Sequence, residues 1–223
     1  MVQMMETLKT ELLYLWSKLT GAKNRNRKAA FADFDAAVAR LGPGDLVIDL
    51  GANAGVFTQR FADTGADVIA FEPDPHAFAL LTARVGARPN VRLIPAAAGA
   101  RADMLKLYRR TDFDASPDAR TTSSSLFADK HKMDEGKAVQ VEVMDFPAFL
   151  ADLNRDVALL KIDIEGAEVP LMEALLTSPA LSRVNRMFIE SHERVVRSLA
   201  GRTRALKART RGMTRPVINW DWH

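Results

Sequence analysis

The chain predicts an α/β fold: a Rossmann-like, mostly parallel sheet with helices on both faces. Three observations carry that prediction. Short, nearly continuous apolar runs alternate with helical segments, as βα units require when a sheet is covered on both sides. The first run passes directly into a glycine-bracketed turn in LVIDLGANAG, Leu46 to Gly55. The second ends in Glu72, about twenty residues beyond the turn, the spacing at which such a sheet presents a carboxylate to an adenosine ribose.

The elements follow in order. Met5, Leu8, Leu12, Leu15 and Leu19 form one helical stripe over Met4 to Leu19, widened by Leu13 and Trp16. The basic, polar segment Gly21 to Lys28 reads as a linker, so residues 1–28 are set apart from a main domain over 29–223. That first helix is expected to pack on the domain; pairing with a second copy in a homodimer and lying on a membrane surface are the alternatives. A second helix, about Ala29 to Leu41, stops at Gly42-Pro43-Gly44.

Strand Leu46–Leu50, helix Gly55–Asp63, strand Asp67–Phe71, helix Pro75–Val85 and strand Val91–Pro95 come next. Proline opens the fourth helix at a position where its missing N–H costs nothing. Leu105–Tyr108 reads as a short strand, and Arg109 to Gly136 as a long polar loop containing TTSSSL, Thr121 to Leu126. Val139–Val143 is a strand, followed by a helix capped by Asp145, strand Val157–Ile164 and a helix from about Glu168 to Leu176. Met187–Glu190 is a further buried strand, the basic segment is helical to about Arg211, and Pro216 to His223 is a final strand.

Composition sets the bounds. A chain of 223 residues, 48% hydrophobic and 26% charged, is enough for one domain with a full core. The absence of cysteine excludes disulfides and thiolate metal sites and fits a reducing compartment. No apolar run reaches the roughly 18 residues of a membrane span, and Glu6 and Glu11 break the layout of a signal peptide. A cytoplasmic location is expected. The net charge of +3 hides an asymmetry: eight Lys/Arg and no Asp/Glu lie between Arg194 and Arg215, and the remainder holds 23 bases against 28 acids. A solvated helix face is the ordinary reading of such a run, and a phosphate-bearing partner the sharper one.

Three clusters carry chemistry. Gly51, Asn53 and Gly55 form G-x-N-x-G, neither the G-x-G-x-x-G of dinucleotide enzymes nor a P-loop with its lysine. Asp49, just ahead of the turn, would repel a pyrophosphate and attract a cation. S-adenosylmethionine, with an amino group, a sulfonium centre and no phosphate, fits that demand. Glu72 would then accept hydrogen bonds from both ribose hydroxyls. No acidic or amide side chain follows the third strand at Ala96-Ala97-Ala98, which leaves backbone groups around Ala97 to meet a cofactor.

The second cluster is LLKIDIEGAE, Leu159 to Glu168, whose strand places Lys161, Asp163 and Glu165 on one side. Ligands of parallel sheets bind beyond the carboxyl ends of the strands, so Asp163 and Glu165 face the cleft. They could act as a general base, orient a hydroxyl or hold a divalent ion; Lys161 could simply pair with Glu165. The third is FIESHE, Phe188 to Glu193, where Glu190 or His192 reaches the same cleft and His192 suits proton abstraction from an alcohol.

Together these motifs resemble the FkbM-type S-adenosylmethionine-dependent methyltransferases. The resemblance runs from about Asp45 to His192 and rests on VIDLGANAG, FEPDP, the SSSL loop, Asp145 and, above all, KIDIEGAE. It implies a class I methyltransferase fold and methyl transfer to a hydroxyl oxygen, often on a sugar or polyketide. It also implies that Gly51, Asn53, Gly55 and Glu72 contact the cofactor, that Asp163 and Glu165 border the reaction centre, and that Ser124 and Ser125 cover it. The expected acceptor is a small-molecule or glycan hydroxyl, and nucleic acid is disfavoured because no aromatic stacking motif flanks the basic run. The C-terminus is short for the seven-stranded sheet usual in that class. An NAD-dependent oxidoreductase and a non-catalytic cofactor-binding module that docks a partner are the rival readings.

Overall fold

A computed structural model describes residues 25–115, 117, 124–126, 133–193 and 196–222. The N-terminal stripe, most of its linker and the expected homodimer contact lie outside the described residues. The main sheet has six strands: β1 (Leu46–Leu50), β2 (Asp67–Phe71), β3 (Val91–Ile94), β7 (Val157–Ile162), β8 (Val184–Ile189) and β9 (Val217–Asn219). They lie in the order β3-β2-β1-β7-β8-β9, and every pairing is parallel. The chain reverses direction across the sheet between β1 and β7, the place where open parallel sheets bind ligands. A smaller sheet, β4 (Ala97–Gly99), β6 (Met133–Asp145) and β5 (Asp103–Arg110), stands beside it in the order β4-β6-β5.

The helices are α1 (Arg25–Val38), α2 (Val56–Ala62), α3 (Pro75–Val85), α4 (Phe146–Asp152), α5 (Glu168–Leu175) and α6 (Ala200–Thr210). Two begin on side-chain caps. Asp74 accepts from the His76 N–H at 2.8 Å to start α3, and Asp145 accepts from the Ala148 N–H at 2.9 Å to start α4. Each cap satisfies a backbone donor that the first turn leaves open.

All five residues of β1 are buried, because alternate side chains enter opposite cores. Leu46, Ile48 and Leu50 join the larger core with Val169, Leu171 and Leu175 of α5. Val47 enters the other face, where α1 lies over the sheet. Phe34 of α1, Phe188 and Trp222 meet there, with both partner rings 5.0 Å from Phe34. Aromatic contacts at such distances add to the area they bury, so α1 is bound to the sheet by packing.

Several expected boundaries move. The second helix starts at Arg25, inside the stretch read as linker, and ends at Val38. The strands expected at 105–108 and 139–143 extend to Asp103–Arg110 and Met133–Asp145, because the two pair antiparallel into a long ribbon. Its ladder bonds hold polar residues that a period of apolar side chains does not reveal. The two ends of the stretch read as loop, 109–110 and 133–136, are therefore strand. The expected final strand over 216–223 contracts to Val217–Asn219, after which Trp220 and Trp222 turn into the two cores.

Candidate active site

The two principal motifs meet at the sheet's reversal point. The Asp163 N–H donates to the Leu50 carbonyl at 3.0 Å, which fixes the end of β7 against the turn after β1. Gly51 has φ +77°, and a Cβ there would stand 1.8 Å from the Asp163 carbonyl oxygen. Only glycine allows that approach. Gly55 (φ +82°) serves a different contact, since its Cβ would press within 2.7 Å of Leu81 on α3.

The turn's backbone donors are all engaged within the chain. Gly51 and Ala52 N–H donate to the Phe71 carbonyl at 3.1 and 3.0 Å, and Gly55 N–H to Ala52 at 2.9 Å. The Asn53 N–H donates to Glu72 Oε2 at 2.8 Å, and Ala54 N–H to the Asn53 side chain at 2.6 Å. A phosphate cradle needs such N–H groups pointing at the ligand. This turn offers none of the five, so the residues fit a cofactor without phosphate and do not fit a pyrophosphate.

Glu72 is buried and also accepts the Asp74 N–H at Oε1, 2.8 Å. Those two bonds use half of a carboxylate's accepting capacity, leaving lone pairs for a ribose diol. Burial pushes its pKa up to about 7 against the lowering effect of its backbone donors. Ala97 opens β4, paired with Val143, just after the strand whose Ile94 carbonyl accepts the Glu72 N–H at 3.1 Å. Only backbone groups and a methyl are available there.

Asp49, expected to face a cationic cofactor, is fully buried. Its carboxylate accepts the Thr58 hydroxyl at 2.8 Å and pairs with Lys161 Nζ at 3.0 Å. β1 and β7 set that pair in register, residue 49 opposite residue 161. Lys161 also donates to the Gly51 carbonyl at 3.1 Å and lies 3.7 Å from Asp163. It thus serves Asp49 and not Glu165. Burial opposes its charge, but Asp49 and Asp163 outweigh burial and raise its pKa. Asp49 is thus linked to the turn at Gly51 through this lysine.

β7 ends at Ile162, two residues sooner than expected, so Asp163 and Glu165 stand in the following turn. Glu165 has φ +56° and Gly166 φ +113°, a left-handed pair that a non-glycine residue adopts only when its surroundings hold it. Ser125 donates to the Glu165 carbonyl at 2.7 Å, and the Gly166 N–H donates to Glu168 at 2.8 Å. Ser124 reaches Asp74 at 3.3 Å, and Arg109 grips the same carboxylate with two bonds of 2.8 Å. Burial opposes ionisation of Asp74, yet Arg109 holds it below the usual carboxylate range. Ser124 and Ser125 thereby join the residues just after β2 to the KIDIEGAE turn.

His192, just past β8, completes the cluster. Its Nε2 lies 3.2 Å from Glu165, 3.8 Å from Asp163 and 3.9 Å from Glu190. On its other side, Glu168 accepts the His192 backbone N–H at 2.8 Å and faces Nδ1 at 3.3 Å. Burial would lower the ring's pKa, but the Glu168 bond and the charges of Glu165 and Asp163 hold it at about 10. Burial and then the Asp163 charge push Glu190 up to about 8. Glu168, Asp74 and Arg109 were absent from the sequence-based set. Glu168 stood inside KIDIEGAE, but no linear pattern ties it to a histidine 24 residues on.

A parallel sheet with a phosphate-free turn, a deep carboxylate at its second strand and a carboxylate–imidazole cluster one strand away defines a Rossmann-like methyltransferase fold. The Methyltransferase FkbM domain matches residues 49–206, and the chain belongs to that S-adenosylmethionine-dependent family. Shorter likenesses extend to the Ribosomal RNA small subunit methyltransferase A of Thermotoga maritima, 46% identical over 55 residues. The counterpart in Moorella thermoacetica is 42% identical over 59 residues. These matches cover 25% and 26% of this chain and span only 20% of each relative's length. A TehB-like SAM-dependent methyltransferase from Corynebacterium glutamicum superposes over 79% of this chain and 68% of its own, at 10% identity and a TM-score of 0.32. No helix among the described residues is long and apolar enough to cross a membrane.

Proposed function

We propose that this chain methylates a hydroxyl oxygen on a sugar, glycan or other small metabolite. The observation that carries the reading is the convergence of Asp163, Glu165 and His192 beside the cofactor turn, to which Asp163 is bonded through Leu50. When bound, S-adenosylmethionine supplies an electrophilic methyl on sulfur, whose C–S bond breaks as the new O–C bond forms. Gly51 and Gly55 would shape the turn that admits it, Glu72 would accept hydrogen bonds from its ribose hydroxyls, and backbone groups at Ala97 would meet its adenine.

The chain's own part is to align the acceptor and remove its proton. In the metal-free cluster the carboxylates around His192 favour its charged ring at neutral pH, so a carboxylate accepts the proton. A bound cation would instead displace the Nε2 proton. Asp163, 27% exposed and nearest the cofactor turn, takes that role, with His192 and Lys161 offsetting the charge around it. Glu168 positions the ring. Nucleic acid is the weaker acceptor class, because Arg202 and Lys207 of the basic segment are paired with Glu173 and Glu193.

The experiment is incubation with radiolabelled S-adenosylmethionine and fractionated metabolites or glycans. Label should enter a hydroxyl-bearing product, and Asp163→Asn and His192→Ala should each lower turnover. Normal turnover in both variants would overturn the assignment. Exclusive binding of NAD in calorimetry would overturn the cofactor.

A further inference from the structure

We propose that Asp163, Glu165 and His192 form a site for one divalent first-row cation. One ligand atom from each residue lies within 4.8 Å of the other two. Two ligands held about 2.1 Å from an ion stand about 3.0 Å apart at a right angle and about 3.4 Å apart at the tetrahedral angle. The 3.2 Å from Nε2 to Glu165 falls inside that range, and the 3.8 Å to Asp163 lies just beyond it. Binding would draw the carboxylates inward from separations of up to 4.8 Å.

The ring is set for this use. A carboxylate can only accept, so Glu168, facing Nδ1, requires the proton on that nitrogen and turns Nε2 toward Asp163 and Glu165. Histidine ligands are oriented in the same way by a carboxylate on their far nitrogen. The two oxygens of Asp163 are also divided, Oδ1 facing His192 and Oδ2 facing Lys161. One can ligate while the other keeps its cationic neighbour. Ser125 and Glu168 hold the turn that bears Glu165 from opposite sides.

The donor set selects the ion. Three protein ligands are too few for the six to eight oxygens calcium takes, and imidazole favours manganese, iron, cobalt or zinc over magnesium. Three ligands leave coordination positions for an acceptor oxygen and polarise its hydroxyl. That role rests on the methyl-transfer reading; the site itself does not.

The test uses the full chain. Mn2+ is titrated while unbound Mn2+ is read by electron paramagnetic resonance, and S-adenosylhomocysteine binding is measured separately by calorimetry. One Mn2+ should bind per chain. Glu165→Gln and His192→Gln should abolish it at millimolar metal, while Glu165→Gln still binds S-adenosylhomocysteine and is therefore folded. Glu168→Gln should weaken Mn2+ by about 10–100-fold, the effect of losing a carboxylate behind a histidine ligand. A wild-type chain that binds S-adenosylhomocysteine but no millimolar Mn2+ overturns the ion site and leaves methyl transfer standing. Mn2+ bound equally well by Glu165→Gln also overturns it. Mn2+ binding without S-adenosylhomocysteine binding supports the site and overturns the cofactor reading.

Discussion

Glu72 should make nucleoside binding depend on pH in a way that isolates the ribose contact. Its carboxyl rises from 4.5 to about 7 because it is buried, and a diol that donates two hydrogen bonds favours its ionised form. With a pKa near 7, about a tenth of the chains carry the ionised group at pH 6 and about nine-tenths at pH 8. Adenosine is a suitable ligand because it has the diol and no group that titrates in this range. Its affinity should rise about ten-fold from pH 6 to pH 8 and level off above. Binding at pH 7 should release about half a proton, visible in calorimetry as a dependence on buffer ionisation heat. 2′,3′-Dideoxyadenosine should show neither effect, and Glu72→Gln should bind adenosine weakly and without pH dependence. A wild-type affinity that stays flat from pH 6 to pH 8 would refute the assignment of Glu72 to the ribose. The same group affects stability with a definite sign. Its folded pKa is raised, so its contribution is fully present below 4.5 and disappears as pH rises through about 7; the span is about 3 kcal/mol.

Lys161→Met removes the partner of a fully buried Asp49 and should cost about 3–5 kcal/mol in urea unfolding, with Asp49→Asn in the same chain recovering part of the loss. Gly51→Ala forces a methyl onto the Asp163 carbonyl at a positive φ; it should abolish cofactor binding and lower the melting temperature, and wild-type binding would contradict the turn geometry. Trp222→Ala empties the pocket formed with Phe34 and Phe57 and should cost about 3–5 kcal/mol by denaturant unfolding. Arg109→Met leaves Asp74 buried without its bidentate partner. Its carboxyl pKa should rise in a carbon-detected NMR titration, and the stability that ionised Asp74 contributes above the carboxylate range should shrink as pH falls.

The parallel sheet was legible because it is written in contiguous residues. Buried strands such as Leu46–Leu50 are apolar but for Asp49, and Gly42-Pro43-Gly44 and Asp145 punctuate them. The β5–β6 ribbon was mostly hidden, since Asp103, Lys106 and Gln140 are polar and are held by ladder bonds between distant segments. The positions of Gly51, Glu72, Asp163, Glu165 and His192 could be read from motifs, but their partners could not. Asp49 looks like a ligand-facing acid until strand register sets Lys161 opposite it. Glu168 looks like a helix start until the chain returns His192 to it. In each case the missing information is a pairing between elements, which no local periodicity encodes.

The left-handed backbone at Glu165 has a consequence for any chain that shares this fold. An L-residue there is strained by about 1–2 kcal/mol, and glycine or asparagine would relieve that strain. Stability alone would therefore favour a residue without the carboxylate at this position. On the roles proposed above, Glu165→Gly would gain stability while removing one carboxylate from the cluster with Asp163 and His192.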